Sequence, residues 1–285
     1  MGKTSAFNTA TAAYPEDFVI GLKVSGSNYE NAKFAISTLR DGIISNLGSG
    51  AGLHNAIYRG KNLGTSITAA QWTAINSGAF TDMFIGDYWT LNGRVYRIAH
   101  FDYWLNTGDT VCTKHHVVLV PDASMVSAKM NETNTTDGGY AGSLMRGEGG
   151  GLETATATIT NDIGDSHLLT HRSYLSNAVS NGAATAAGWY DSMIDLMSET
   201  MVYGHPVTSS RMTYGHFVDT GIDKTQLALF ALDPSQITKR SFNWWLRSVA
   251  SESLFAAVNA DGSASYGGAS YSRGVRPAFG IVQSA

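Results

Sequence analysis

The chain has 285 residues, 43% hydrophobic and 11% aromatic, enough to build a sizeable core in one large domain with a small accessory module. A net charge of −4 with 15% charged residues leaves no broad basic field, which excludes nucleic-acid binding driven by phosphate contacts. The single cysteine, Cys112, excludes an internal disulfide framework, and 31 glycines point to many turns between short elements, as in an α+β fold.

Residues 1–16 are rich in Ala, Thr, Ser and Asn without a hydrophobic period, so a flexible leader is expected, with neither a secretory signal nor a lipidation pattern. No stretch is apolar enough to span a bilayer, and no membrane insertion is expected. Residues 17–50 read as a separate module. Phe18, Ile20, Leu22 and Val24 alternate as in a strand, Gly26-Ser27-Asn28 suits a turn, and Phe34 and Ile36 continue a second strand. Ser37 then caps a helix bearing Leu39, Ile43, Ile44 and Leu47. So short a piece cannot hold a private core, which implies attachment or oligomerisation.

Residues 51–80 are expected to be a linker and a helix, with Thr68 and Gln71 at capping-box spacing, Trp72 and Ile75 on its apolar face and Gly78 as its stop. The large domain then runs over 81–285. Asn92-Gly93 signals a tight hairpin between residues 88–91 and 95–101. Residues 117–120 read as a buried strand ended by Pro121, and residues 138–151 as a loop around a short helical piece at 143–146. Residues 152–163 fit helix or strand equally well. Residues 189–203 are apolar and amphipathic, and the apolar run 226–232 is stopped by Pro234. Strands are expected at 242–249 and 254–258, a turn at Asp261-Gly262, and a last strand over 275–282 with Pro277 near its start.

Clusters of reactive residue types each have a plainer explanation. Cys112, Lys114, His115 and His116 resemble a metal or nucleophile site, but adjacent histidines point to opposite faces of a strand, which favours packing. His167 and His171 stand four apart, as ligands on a helical face would, yet the Glu that a zinc protease needs after the first His is missing. Asp191, Asp195 and Glu199 are spaced to share a helical face, which a solvated acidic surface explains as well as paired catalysis does. Residues 147–151 lack the Lys-Ser/Thr ending of a phosphate loop, and the acceptor patterns at Asn131 and Asn134 mean a polar loop. No catalytic residue, metal site or cofactor is expected.

The strongest signal lies at the C-terminus. Phe242-Asn243-Trp244-Trp245-Leu246-Arg247-Ser248 followed by Gly274-Val275-Arg276-Pro277-Ala278-Phe279-Gly280 resembles the C-type-lectin-like domain of variable proteins served by diversity-generating retroelements. That fold is shared broadly with formylglycine-generating enzymes. Residues 83–203, with Gly86-Asp87-Tyr88-Trp89, His100-Phe101-Asp102-Tyr103 and Cys112-Thr113-Lys114-His115-His116, look like virion-associated relatives, so the resemblance covers roughly 80–285. The module at 17–47 is similar, more loosely, to N-terminal pieces of phage tail fibres and receptor-binding proteins.

Between the two flanks, the residues read on their own as a recognition surface, because Tyr offers rigid amphipathic contact and Ser, Gly and Asn offer adaptable hydrogen bonding. The candidate ligand-binding positions of the region 250–273 are Ala250, Ser251, Ser253, Asn259, Ala260, Asp261, Ser263, Ser265, Tyr266, Gly268, Ser270, Tyr271 and Arg273. In the family the segment resembles, adenines of a template are copied with errors, and most of these residues belong to the set reached from Asn codons; Glu252 does not. Trp244, Trp245, Leu246, Val275, Pro277 and Phe279 are expected to be scaffold.

The resemblance implies a non-catalytic protein of the phage tail, made in the bacterial cytoplasm and carried on the virion. It would bind a protein or glycan of a bacterial surface, meet other tail proteins through its N-terminal module and assemble as a homo-oligomer, often a trimer in that family. Two rival readings are a static tail or decoration protein and a sulfatase-modifying oxygenase. The second relies on paired active-site cysteines, whereas this chain has Cys112 alone.

Overall fold

The computed structural model describes residues 18–25, 28–35, 50–209, 225–238 and 241–284. The chain divides into two compact units, Met1–Ser49 and Gly50–Ala285. In the first, β1 (Phe18–Ser25) and β2 (Asn28–Ala35) pair antiparallel, Phe18 opposite Ala35 and Ser25 opposite Asn28, so the expected hairpin is present. The expected leader and the expected helix at 37–47 lie outside the described residues.

The second unit opens with α1 (Ala51–His54) and α2 (Ala69–Asn76). Thr68 and Gln71 close a full capping box at α2: the Thr68 hydroxyl accepts from the Gln71 N–H (3.2 Å) and the Gln71 Oε1 from the Thr68 N–H (2.9 Å). β3 (Tyr88–Leu91) and β4 (Arg94–Phe101) then form the hairpin signalled by Asn92-Gly93. Both turn residues take positive φ, 47° and 79°, as a two-residue hairpin turn requires. β5 (Val117–Pro121) is buried throughout, a central strand with both faces covered, and β6 (Val126–Ala128) follows.

The ambiguous stretch is helical: α3 (Gly151–Ile163) buries Leu152, Ala155 and Ile159 at helical spacing and stops at Gly164, whose φ is 97°. After a 3-10 turn at Asp165–His167 come β7 (His171–Ser180) and β8 (Ala183–Ser192), a long two-stranded ribbon. Next are β9 (Ile194–Leu196) and α4 (Glu199–Tyr203), whose Ser198 cap accepts from the Met201 N–H. The apolar stretch 189–203 therefore spans three elements in place of one amphipathic face. α5 (Ala228–Leu232) and α6 (Ser235–Thr238) lead into the C-terminal strands β10 (Trp244–Val249), β11 (Leu254–Val258), β12 (Ala264–Gly268), β13 (Arg273–Val275) and β14 (Pro277–Ile281).

Two five-stranded sheets organise this α+β unit, in the orders β3-β4-β5-β14-β9 and β12-β11-β10-β13-β6. The expected single last strand over 275–282 is two strands in different sheets. Pro277 has no N–H for a ladder and sits at the first position of β14, while the buried Arg276 makes the crossing. The Arg276 Nε donates to the Pro121 carbonyl (3.0 Å), and its guanidinium lies 5.0 Å from the Trp244 ring centre, so the switch point is tied to both sheets. A continuous apolar core joins them, with Trp89, Tyr96, Trp244, Trp245 and Phe279 among its largest fully buried side chains.

Candidate functional site

The six residues expected as scaffold all lie in the interior: Trp244, Trp245, Leu246, Val275, Pro277 and Phe279 are buried. Trp244 stands opposite Gly274 where β10 and β13 run parallel, and the Trp245 Nε1 donates to the Ala128 carbonyl (2.9 Å). Phe279 meets Tyr96 edge to face at 5.8 Å across the other sheet.

Between these flanks β11 and β12 form a hairpin whose register runs from Leu254 opposite Gly268 to Val258 opposite Ala264. That register separates the thirteen candidate contact residues. Ala250, Ser251, Ser253, Gly268, Ser270 and Tyr271 gather at one end of the sheet, where the Ala250 and Ser251 N–H groups donate to the Leu254 carbonyl and the Ala269 N–H to that of Ser253. Asn259, Ala260, Asp261 and Ser263 occupy the turn at the other end, about 14 Å away at strand rise. Ser265 and Tyr266 lie on the outer strand between the two groups, and Arg273 opens β13.

Exposure differs sharply among them. Tyr271 (59%) and Tyr266 (56%) are the most exposed large hydrophobic side chains among the described residues. Ala260, Asp261 and Ser263 are exposed, and Ala250, Ser251, Ser253, Asn259, Ser265, Ser270 and Arg273 are half-buried. Gly268 is buried, and a Cβ on it would stand 2.6 Å from the Asn134 Oδ1.

Part of the polar set is already engaged. The Asp261 Oδ1 accepts from the Ser263 N–H (3.0 Å) and Oγ–H (2.7 Å), and these bonds hold its carboxyl below the usual range. The Asn259 Nδ2 donates to the Ser263 Oγ (3.1 Å), so this group locks its own turn. The Arg273 guanidinium lies 5.2 Å from the Trp245 ring centre and donates through Nη2 to the Tyr266 carbonyl (3.1 Å), which turns its charge inward.

Two neighbours of the segment went unnoticed in the sequence. Residues 129–137 run alongside both loops at the first end, with the Thr136 N–H donating to the Glu252 carbonyl (2.9 Å) and the Asn134 Oδ1 accepting from the Ser270 N–H (3.0 Å). The tip of the β7–β8 ribbon also arrives there: a Cβ on Gly182 would lie 3.7 Å from the Ser251 Cα. Asn181-Gly182 is the same turn dipeptide as Asn92-Gly93 and carried the signal for that ribbon.

The other clusters are woven into the fold. The Asp102 carboxylate takes the His115 Nδ1 (2.7 Å) and the His116 N–H (2.9 Å), and the buried His116 Nε2 accepts from the Trp104 N–H (3.1 Å). Burial pushes the Cys112 thiol up, away from thiolate chemistry. His167 lies in the 3-10 turn and His171 in β7, so the two share no helical face. Asp191 is exposed and paired with Arg172, Asp195 is buried against Tyr140, Ser192 and Arg146, and Glu199 caps a loop; they form no common acidic face. The buried Asn131 carboxamide bonds the Thr135 carbonyl (2.7 Å) and the Leu144 N–H (2.9 Å). Among the described residues, no group of three or more His, Cys, Asp and Glu is placed to hold a metal ion, and no helix is long and apolar enough to cross a membrane.

Residues 196–283 match the family model described as a domain of unknown function, DUF6273. The match takes in the whole C-terminal segment and spans less than half of the chain. No curated protein and no solved structure matches the chain.

Proposed function

We propose that the large unit is a C-type-lectin-like domain that binds a protein or glycan on a bacterial surface, without catalysis, through side chains of the region 250–273. The N-terminal module mounts it on a phage tail, and the virion carries it as a homo-oligomer. One observation carries this reading: a single segment of some forty residues buries its aromatic anchors Trp244, Trp245 and Phe279 completely and holds out the two most exposed tyrosines among the described residues. A static structural protein has little use for exposed Tyr266 and Tyr271, because each leaves apolar ring surface in water. A rigid frame presenting rings with two rotatable bonds is what recognition of a partner calls for.

Repetition supplies the affinity that one modest surface lacks, since several copies on one particle turn weak single contacts into avidity. Sequencing this locus across sibling phages tests the reading. Substitutions concentrated at 250–273, beside a reverse transcriptase and a template repeat, are the expected result. An invariant segment with substitutions scattered elsewhere overturns it in favour of a static tail protein.

A further inference from the structure

The two loops at the exposed end of the C-terminal sheet are both held by residues 129–137. Met130 and Asn131 both donate their N–H groups to the Ala269 carbonyl, each at 2.9 Å. The Asn134 Oδ1 accepts from the Ser270 N–H (3.0 Å) and from its Oγ–H (2.8 Å). Thr136 donates its N–H to the Glu252 carbonyl (2.9 Å) and its Oγ1–H to the Ser251 carbonyl (2.8 Å). Of these contacts, only that to the Ser270 hydroxyl depends on a side chain of the loops being held; the rest use their main chain.

The holding stretch is itself anchored away from the surface. The Asn131 Oδ1 accepts from the Leu144 N–H (2.9 Å), the Met145 N–H donates to the Met130 carbonyl (3.0 Å), and Thr136 is buried. Its attachments to the loop main chain therefore survive changes of loop side chain, with the exception of Gly268, where a Cβ would stand 2.6 Å from the Asn134 Oδ1. Every residue except proline carries the same N–H and C=O, so a main-chain clamp is indifferent to the residues it holds.

We propose that residues 129–137 are a main-chain clamp for the binding surface, and that Asn134 and Thr136 are its positioning residues. The clamp keeps the main chain at 250–253 and 269–272 in one conformation while the side chains there change. Recognition then gains from preorganisation, because loops already ordered lose less entropy when a partner binds. This inference rests on the binding reading for its purpose and on geometry alone for its existence.

Hydrogen exchange and adsorption of the full-length protein test the two parts separately. In Asn134→Ala the Ser270 amide should exchange about tenfold faster or more, as expected for loss of a hydrogen bond and its neighbour. Asn134→Asp, which keeps the Oδ1 acceptor, should restore protection, and Thr136→Val should loosen the 250–253 loop. Adsorption of purified protein to bacteria that the particle infects should fall about tenfold in Asn134→Ala. The same change should add little once Tyr271→Ala has removed the presented ring.

Unchanged exchange at Ser270 in Asn134→Ala overturns the clamp. Faster exchange with undiminished adsorption overturns its role in positioning. If the unmodified protein adsorbs to no such cell, the binding reading fails, and the exchange data still decide whether the clamp exists.

Discussion

The His171 imidazole lies nearly parallel to the Trp104 indole, with ring centres 3.8 Å apart, and His116 stacks on the same indole at 5.6 Å. His100 completes the group, its Nδ1 accepting from the Ala228 N–H (3.1 Å). Burial pushes the His171 ring down to about 3 and the His100 ring down to about 4, with neighbouring His116 lowering both further. Both are neutral in the folded protein, whereas the unfolded chain takes up protons below its ordinary value of 6.5. The unfolded state then binds more protons, so stability is complete above about pH 6.5 and falls as pH drops towards 4. Each ring contributes about 1.4 kcal/mol per pH unit in that window. Urea titrations from pH 7 to 4.5 should show the slope, to which the buried His116 and His54 add, and His171→Phe, which retains an aromatic ring on Trp104, should remove one ring's share of it. A pH-independent midpoint would show that these rings are not buried as neutral bases.

How much of this was readable beforehand depends on the range over which each signal acts. The Thr68–Gln71 cap and the Asn92-Gly93 turn are local and stood where the residues pointed. The β7–β8 ribbon was hidden because residues 183–187, Ala-Ala-Thr-Ala-Ala, suit a helix, and only pairing with 171–180 makes them a strand. The break at Arg276 had one local cue, Pro277, which lacks a ladder N–H, but the change of sheet follows only from pairing with distant strands. At the candidate surface, the apolar flanks were readable from composition, whereas the separation of the thirteen positions follows from hairpin register. Asn134 and Ser270 are 136 residues apart, so no sequence pattern could bring them together.

Tyr266 and Tyr271 are expected to separate binding from stability. Both rings are more than half exposed, so Tyr266→Ser and Tyr271→Ser should each change unfolding free energy by less than about 1 kcal/mol. Trp245→Ala, at a fully buried position, should cost about 3–5 kcal/mol. Thermal melts and cell adsorption of the three variants check this together. A large stability loss in either tyrosine variant would make the ring a packing residue and remove it from the contact surface.

Gly139, two residues beyond the clamp, packs against the β7–β8 ribbon, and its backbone geometry makes a sharp test. Its φ is +60°, and a Cβ there would stand 2.5 Å from the Ser176 carbonyl oxygen, a main-chain atom that cannot swing aside. Gly93 shares the positive φ, at +79°, but a Cβ on it meets nothing within 4 Å. Gly93→Ala should therefore cost about 1–2 kcal/mol for the left-handed backbone alone. Gly139→Ala adds the overlap, about 1–3 kcal/mol more. Equal losses in denaturant unfolding would mean that the close approach at Gly139 is absent in solution.

Glu199 holds the 207–209 loop beside the edge strand of the C-terminal sheet through charge-assisted hydrogen bonds. Its buried carboxylate accepts from the Thr208 N–H (2.8 Å) and Oγ1–H (2.7 Å), from the Val207 N–H (3.2 Å), and from the Ser209 N–H (3.0 Å) and hydroxyl. Burial alone would raise its pKa, but the Ser209 and Thr208 donors outweigh it and hold the group below its ordinary 4.5. Glu199→Gln removes the charge and turns an NH₂ towards N–H and O–H donors, leaving some of them unpaired. Such bonds to a charged acceptor are worth about 1.5–3 kcal/mol each, so a loss of at least that size is expected at pH 7. The depressed pKa means that this stability is present above pH 4.5 and disappears as pH falls through the folded value. The difference between wild type and Glu199→Gln should accordingly shrink in acid, in a range below that of the histidines. Guanidinium titrations at pH 7 and pH 3.5 measure both quantities, and a variant as stable as wild type at pH 7 would show that the 207–209 loop does not rest on this carboxylate.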